Sequence, residues 1–454
     1  MPTFIGLIFF CAGAYCFLRK EEGLLGLLIV ASVFEAASAL NIAERGIQPH
    51  YVIAIFIIAR ALVNRAFGLC PAPPLPEGKW LLVFGAIAIV ATLTFPIAFS
   101  GTPVYEPNIG IDDGLFIRPP LRFGLYNVAQ AVFVALHIAT AYAVLRIRFS
   151  GTLTRKIYIF AFYLSLVFIF AQSFCSLTGL PYPDSVLRNN PGYGIVDLSL
   201  VYRGVRCPGT FTEPSIAGAF IAMYCVGFLA EYLAGKGGAF RVVLSLVAIG
   251  LITSSGALLS LAICLLLLAF HYSPFRFPWY IKTRQAKRVA WISFLLVAPV
   301  VLALVVSANY RSTLMGFTVS KGETGSFVNR TAADLYGLQL FVQTHGLGLG
   351  LGSNRASSLV TTLLACIGLL GTSAFGFFFY KLFANLSEEY AWLKWAAFAL
   401  LLNMCIDISD VTFPILWIPI LLAIPFRVEK GGSRQSLNRV GHMQFQEAGL
   451  PTTS

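Results

Sequence analysis

The stretch Ile157-Tyr158-Ile159-Phe160-Ala161-Phe162-Tyr163-Leu164-Ser165-Leu166-Val167-Phe168-Ile169-Phe170 has one polar position, Ser165. A strand of a transmembrane barrel alternates lipid-facing and lumen-facing residues over about ten positions. No such alternation exists here. Lipid cannot hydrogen-bond a bare backbone, and only a helix satisfies its own N–H and C=O groups within one segment. The run therefore predicts a spanning helix. Carried outward to its polar flanks it covers 157–180, which matches the need for about 20 apolar residues.

The rest of the chain repeats this pattern. Of its 454 residues, 57% are hydrophobic and 11% charged, where soluble domains carry about 25% charged. A water-facing surface needs more polar side chains than that. The composition excludes a soluble enzyme, a disordered chain and an ordinary nucleic-acid binder. Thirteen apolar segments read as spans: 4–18, 23–42, 50–68, 80–99, 125–147, 157–180, 215–234, 241–254, 256–272, 288–307, 358–384, 392–409 and 412–427. The pair 241–254 and 256–272 is either two short helices or one broken span, so the range is twelve to fourteen. The expected fold is all-α, a polytopic transmembrane helical bundle forming one integral membrane domain over 1–454. Its long outer loops, 100–124, 181–214 and 308–357, contain short helices, and 428–454 is expected to be a disordered cytoplasmic tail. The N-terminus has no basic start and no small-residue cleavage site before Arg19-Lys20, so it reads as a retained first span. No internal repeat stands out.

The formal charge of +12 then needs a place. Thirteen spans divide the loops into two alternating sets. One holds 21 basic and 8 acidic residues, and the other 10 basic and 11 acidic. The positive-inside rule puts the first set in the cytoplasm, with the N-terminus outside and the C-terminus inside. The net charge is thus mostly a topology signal and does not imply nucleic acid.

The outer loops should be thinned of arginine, yet they keep Arg118, Arg122, Arg188, Arg203, Arg206, Arg311, Arg330 and Arg355. Guanidinium groups bind phosphate bidentately, so an anionic ligand is one reading. Salt bridges to Asp112, Asp113, Asp197 and Asp334 are the other. The segment 100–124 looks like a covering loop. The segment 181–214 ends with Arg203 and Arg206 ahead of Glu213-Pro214-Ser215, where a span begins. Proline suits a first helical turn, and free N–H groups there favour an anion. Glu213 is either a general base or an anchor for one of those arginines.

The segment 308–357 holds Ser326 and Arg330, then an amphipathic stripe of Leu335, Leu338, Leu340 and Phe341 over 333–344. This predicts a helix on the outer interface. The run His345-Gly346-Leu347-Gly348-Leu349-Gly350-Leu351-Gly352-Ser353-Asn354-Arg355 follows. It lacks the Lys-Ser/Thr ending of a phosphate loop, so its glycines argue for close backbone approach to a ligand or a neighbouring helix. His345 is either an acid/base or a solvated loop histidine. Glu35 and Arg60, both placed within adjacent spans, read as a mutual ion pair or a polar pathway. Gly368, Gly371 and Gly376 would allow helices to approach closely. Cys175 and Cys207 both fall near the outer face, but no spacing supports a disulfide. No metal-binding or cofactor motif is present.

Taken together, Arg206-x-x-Gly209-x-Phe211-x-Glu213-Pro214-Ser215-x-x-Gly218, Ser326-x-x-x-Arg330, Gly348–Ser353 and Ile367-Gly368-Leu369-Leu370-Gly371 resemble the O-antigen polymerase and ligase superfamily, the Wzy-type polysaccharide polymerases and their ligase relatives. Thr253-Ser254-Ser255-Gly256 falls where that family often breaks before a short span. The resemblance covers about residues 195–410. It implies a metal-independent glycosyltransferase in the bacterial inner membrane, acting on a glycan carried by undecaprenyl pyrophosphate. It also implies a chain-length regulator and a flippase as partners. Ligase-like sequences tend to place Arg where this chain has Gly256, and histidines where it has Arg355-Ala356-Ser357-Ser358, so polymerase is favoured over ligase. Under the resemblance, Arg203 and Arg206 bind the donor pyrophosphate. Arg330 and Arg355 bind a second phosphate or the glycan, and Glu213 or His345 activates the acceptor hydroxyl. A lipid-linked glycan or anion transporter is the rival class. It predicts polar spans and pseudo-symmetry, which are nearly missing here.

Overall fold

A spanning chain must bury its polar ends at two water-facing levels, and the contacts show which ends share a level. In the computed structural model the described residues are 1–42, 45–106, 117–192, 206–272 and 325–426. They form a helical bundle: α1 (Phe4–Arg19), α2 (Gly23–Val33), α3 (Pro49–Ala66), α4 (Gly78–Ala98), α5 (Leu125–Val144), α6 (Gly151–Thr178), α7 (Asp184–Leu187), α8 (Pro214–Leu233), α9 (Ala239–Ile252), α10 (Ser255–Tyr272), α11 (Gly325–Gln343), α12 (Leu359–Ala384), α13 (Ala391–Asp407) and α14 (Pro414–Phe426). Six of these helices are long and apolar enough to cross a membrane, and five more are shorter apolar helices. Twelve of the thirteen sequence-derived spans contain one helix each. The thirteenth, 288–307, lies outside the described residues, as does the tail 428–454.

The helix ends sort onto two faces. On one, Glu21 between α1 and α2 accepts from Arg60 at 2.5 Å and from Asn64 at 3.0 Å, both late in α3. Asn64 in turn reaches Arg146 O beyond α5 at 2.7 Å. Arg155 at the start of α6 pairs with Glu231 at the end of α8, and Glu77 before α4 pairs with Asn385 after α12. On the opposite face, Ala39 after α2 meets Thr3 before α1. Tyr51 early in α3 meets Thr412 before α14. Arg330 of α11 meets Asp407, the last residue of α13. These partners are the ones that alternate traversal of the bundle requires, and the first face carries the basic loops.

Glu35 departs from expectation. The hydropathy of 23–42 predicts one span, but α2 stops at Val33, and 40–42 pairs with 45–47 as a short antiparallel ribbon. The carboxylate of Glu35 therefore lies past a helix end. It does not pair with Arg60, whose acid is Glu21. Glu35 is 2% exposed and accepts from Thr212 N at 2.9 Å and Thr212 Oγ1 at 3.0 Å. A buried carboxylate costs several kcal/mol unless hydrogen-bonded, so this acid fixes the 206–213 segment to the end of α2.

Of the six helices long and apolar enough to cross a membrane, α8 is the most enclosed, with 83% of its apolar window buried. It packs on α9, α10 and α13. Gly218 permits this, since a Cβ there would lie 2.7 Å from Ser254 Cβ and 2.8 Å from Ala257 Cβ. The pair 241–254 and 256–272 is two helices, α9 and α10, divided at Thr253 (φ 51°). Among the described residues no disulfide joins Cys175 to Cys207.

The Arg60 assignment is testable by double-mutant cycles on thermal unfolding in detergent. Glu21–Arg60 should couple by about 1–3 kcal/mol, whereas Glu35–Arg60 should couple by under about 0.5 kcal/mol.

Candidate functional site

Two of the outer-segment arginines belong to segments that reach the break between α9 and α10, Arg206 through its backbone and Arg330 through Asp407. Backbone N–H groups of Arg206 and Cys207 donate to Leu251 O, at 2.7 and 3.3 Å. From there the chain is clamped at every step. Gly209 N donates to Gln172 Oε1 of α6 at 2.7 Å. Thr210 Oγ1 donates to Val33 O, and Thr210 O accepts from Ala36 N at 3.1 Å. Phe211 is wholly buried, and Thr212 is held by Glu35. Gly209 adopts φ 67°, and a Cβ there would meet Ile169 N at 3.1 Å. These clamps deliver Glu213 as the N-cap of α8. Glu213 is exposed, and its Oε2 accepts from Ser215 Oγ at 3.0 Å. Among the described residues no ion pair joins Glu213 to Arg206, and Arg203 lies outside them; the acid that holds the Thr212 step is Glu35.

The second arginine arrives from α11. Arg330 Nη1 donates to Asp407 Oδ1 at 3.0 Å, and the Asp407 side chain is 7% exposed. Asp407 lies against the α9–α10 break. A Cβ added at Gly256 would fall 1.8 Å from Asp407 Oδ2, so only glycine fits there. The break is thus flanked by Arg206 on one side and the Arg330–Asp407 pair on the other. The N-termini of α8 and α10 open onto the same place, and both carry partial positive charge.

Backbone strain marks the same residues. Among the described residues the non-glycine positions with positive φ are Arg206 (61°), Thr253 (51°) and His345 (53°). A β-branched residue such as Thr253 is a genuine outlier there, and strain of this kind persists where surrounding structure over-determines it. Arg206 and Thr253 sit together through Leu251.

The helix α11 begins at Gly325, earlier than the sequence-derived 333–344, and so includes Ser326 and Arg330. Its buried stripe is Ala333, Tyr336 and Leu340, packed on Val104, Tyr105 and Leu121 of the covering segment. Leu335 and Leu338 remain exposed. Arg118 stacks on Tyr336 and Tyr105, 4.1 and 4.9 Å from the ring centres, and donates to Tyr105 Oη at 2.7 Å. Among the described residues Asp334 bridges no arginine. Its Oδ1 accepts from Ser357 N at 2.7 Å and Ser358 N at 3.0 Å, capping the start of α12. Arg355, two residues earlier, donates its N–H to Tyr105 O at 3.0 Å. Arg203, Asp112, Asp113, Asp197 and Arg311 lie outside the described residues.

The glycine run is packed against helices. Gly348 N donates to Thr344 Oγ1, Leu349 N to Ala365 O, Gly350 N to Cys366 O, and Leu351 N to Thr92 Oγ1 of α4. Those donors are spent and cannot cradle phosphate. The acceptors Ala365 and Cys366 flank a kink in α12 at Gly368 (φ 67°), where a Cβ would lie 2.2 Å from Gly346 O. Non-helical backbone at membrane depth is tolerated where protein buries it. Gly376, by contrast, has no atom within 4 Å of a Cβ and brings no helix close.

His345 is exposed beyond the far end of α11. Fifteen residues from Arg330, it is removed by about 22 Å at 1.5 Å per residue. Asp407 is the residue that hydropathy and motifs did not single out. Its only signal was an acid at the end of a span on the outer set. His50 and His137 were missed too. Both are buried, with His137 Nε2 donating to Thr412 O at 2.8 Å and His50 Nδ1 2.9 Å from Ser32 Oγ. His137 braces the loop that follows Asp407, and His50 packs against the His137 ring.

No protein-family model matches the chain, and no curated protein matches its sequence. The chemistry of the site must come from its own residues.

Burial, partly offset by the Ser358 and Ser357 N–H groups and by Arg330, pushes the Asp334 carboxyl above its ordinary value. A raised folded-state pKa means the folded chain binds the proton more readily than the unfolded one between the two values. Stability from this group therefore falls as pH rises through that interval. Asp334→Asn keeps the accepting oxygen and should unfold at a higher temperature than the wild type at pH 7. The gap should close as the pH is lowered toward 4.

Proposed function

We propose that the chain is a membrane glycosyltransferase that polymerises lipid-linked oligosaccharide repeat units, carried on undecaprenyl pyrophosphate, into O-antigen, capsule or exopolysaccharide. What carries this reading is the meeting of the Arg206 segment and the Arg330–Asp407 pair at the α9–α10 break, beside two helix N-termini. A pyrophosphate leaving group gathers negative charge as the glycosidic bond breaks. Preorganised guanidinium and N–H donors stabilise that charge without reorganisation. Arg206 binds the donor pyrophosphate together with Arg203, and Arg330 the second phosphate or the glycan. Arg355, whose backbone is held by the covering loop at Tyr105, contacts the glycan.

Glu213 is the base. It is exposed at the head of α8, with its Oε2 accepting from Ser215 Oγ. It takes the proton of the acceptor hydroxyl as that oxygen bonds to the anomeric carbon. The carbon–oxygen bond to pyrophosphate breaks, and its electron pair leaves with the lipid. The distance of His345 along α11 assigns it no part in this step. Asp407 at the Gly256 position favours polymerase over ligase. An arginine side chain there, as in ligase-like sequences, would need the space that the Asp407 carboxylate fills. The site face is the outer one, with the protein multi-pass in the bacterial inner membrane, N-terminus outside and C-terminus cytoplasmic. A chain-length regulator and a flippase are its expected partners, and it works without a metal or cofactor.

Reconstitution of the full chain with a defined lipid-linked oligosaccharide tests this. A ladder of elongated products is expected. Arg206→Ala and Arg330→Ala should each lower the elongation rate by about 10²–10³, and Glu213→Gln by about 10²–10⁴. His345→Ala should stay within about threefold of wild type, small beside the usual general acid–base contribution. Translocation without elongation would instead indicate a transporter.

A further inference from the structure

The two buried histidines play no part in the arginine site, and their partners fix where each carries its proton. His137 Nε2 faces Thr412 O at 2.8 Å. A carbonyl only accepts, so the proton is on Nε2. Ser32 Oγ gives its single proton to Leu28 O at 3.0 Å, and therefore accepts from His50 Nδ1 at 2.9 Å. Each ring keeps one bare lone pair, on His137 Nδ1 and on His50 Nε2. Neither atom has a hydrogen-bond partner among the described residues, and both residues are 1% exposed. The ring centres are 5.7 Å apart.

The surrounding rings supply no donor. Tyr51 borders His50 and His137 at 5.8 and 5.6 Å between ring centres, and spends its hydroxyl on Thr412 O. Trp417 stacks on His137 at 4.6 Å and spends its N–H on Val411 O. Buried polar atoms are nearly always partnered, so two bare nitrogens side by side need an explanation.

We infer that the two lone pairs form a two-coordinate site for a soft monovalent metal ion, copper(I) being the biological example. Ligand count, charge and reach select this class. Imidazole suits copper. Among the described residues no third His, Cys, Asp or Glu completes a group here, whereas zinc takes three or four protein ligands and calcium and magnesium take oxygens. A monovalent d10 ion is stable with two nitrogens in line. Its single charge is also less costly to bury than a double one. Asp410 accepts from Thr412 N and Oγ1, both at 2.7 Å, and so places a carboxylate on the adjoining loop. Metal–imidazole bonds of about 2.0–2.1 Å hold two nitrogens about 4 Å apart, a separation that these ring centres permit. The ion joins α3 to α5 beneath the loop that follows Asp407. It braces that loop and takes no part in the transfer step.

The test adds copper(I), buffered by a competing chelator under anaerobic reducing conditions, to the full chain in detergent. X-ray absorption reads the ligand atoms. The first equivalent should show two nitrogens and no sulfur, which separates the pair from the nine cysteines. His50→Asn and His137→Gln each keep a donor where the ring donates now and remove the bare nitrogen. Without metal, both should unfold within a few degrees of wild type. Each should bind copper(I) at least about tenfold more weakly and lose the nitrogen-ligated equivalent. Copper(I) should raise the unfolding temperature of the wild type alone. A sulfur-ligated first equivalent, or uptake unchanged in both variants, would overturn the proposal. So would no uptake by the wild type, which would assign the two lone pairs to a bound water.

Discussion

A carboxylate removed from water must be hydrogen-bonded or neutralised, and in this bundle the acid under that constraint is Glu35. It accepts from the backbone and hydroxyl of Thr212 and from Gln48 Nε2. That single requirement couples the broken end of α2 to the segment that leads into α8. Everything downstream inherits the position. Phe211 is buried, Glu213 caps α8 and faces out, and α8 becomes the enclosed centre against which α9, α10 and α13 pack. The same segment reaches Leu251 and so sets Arg206 at the α9–α10 break.

A second constraint comes from backbone with nowhere to go but protein. The glycine run 346–352 enters the bundle and spends its N–H groups on the kinked stretch of α12 and on α4. Gly348, Gly350, Gly352 and Gly368 all take positive φ with neighbours closer than a Cβ allows. This ties the C-terminal end of α11 to α12, and Asp334 ties its middle to the first turn of α12. With α11 held at those points, Arg330 can meet Asp407 near its N-terminal end. The glycines of this segment are structural, and Arg330 meets Asp407 at the other end of the helix.

The spans were legible because hydropathy is a local property, and twelve of the thirteen segments hold the helices they called for. The two faces were legible because loop charge is conserved along an alternating path, and the contacts of Glu21, Glu77 and Glu231 gather the same ends. Glu35 was misjudged because alanines and Ser38 continue the apolar run past Val33, and hydropathy cannot see a helix end inside it. Its true partner lies 177 residues away. Asp407 was invisible for a related reason, since its meaning depends on Gly256 and Arg330, which come from other elements. The length of α11, which sets His345 apart from Arg330, was hidden because the apolar stripe begins only at 333.

The central claim is that the anionic head of a lipid carrier is received at the α9–α10 break, between Arg206 and Arg330. The most direct measurement is an electron cryomicroscopy map of the full chain in nanodiscs with a phosphonate analogue of polyprenyl pyrophosphate. The account predicts density for the two phosphorus centres beside Arg206 and Arg330, at the heads of α8 and α10. Density at the 346–352 run or beside His345, with the α9–α10 break empty, would contradict it.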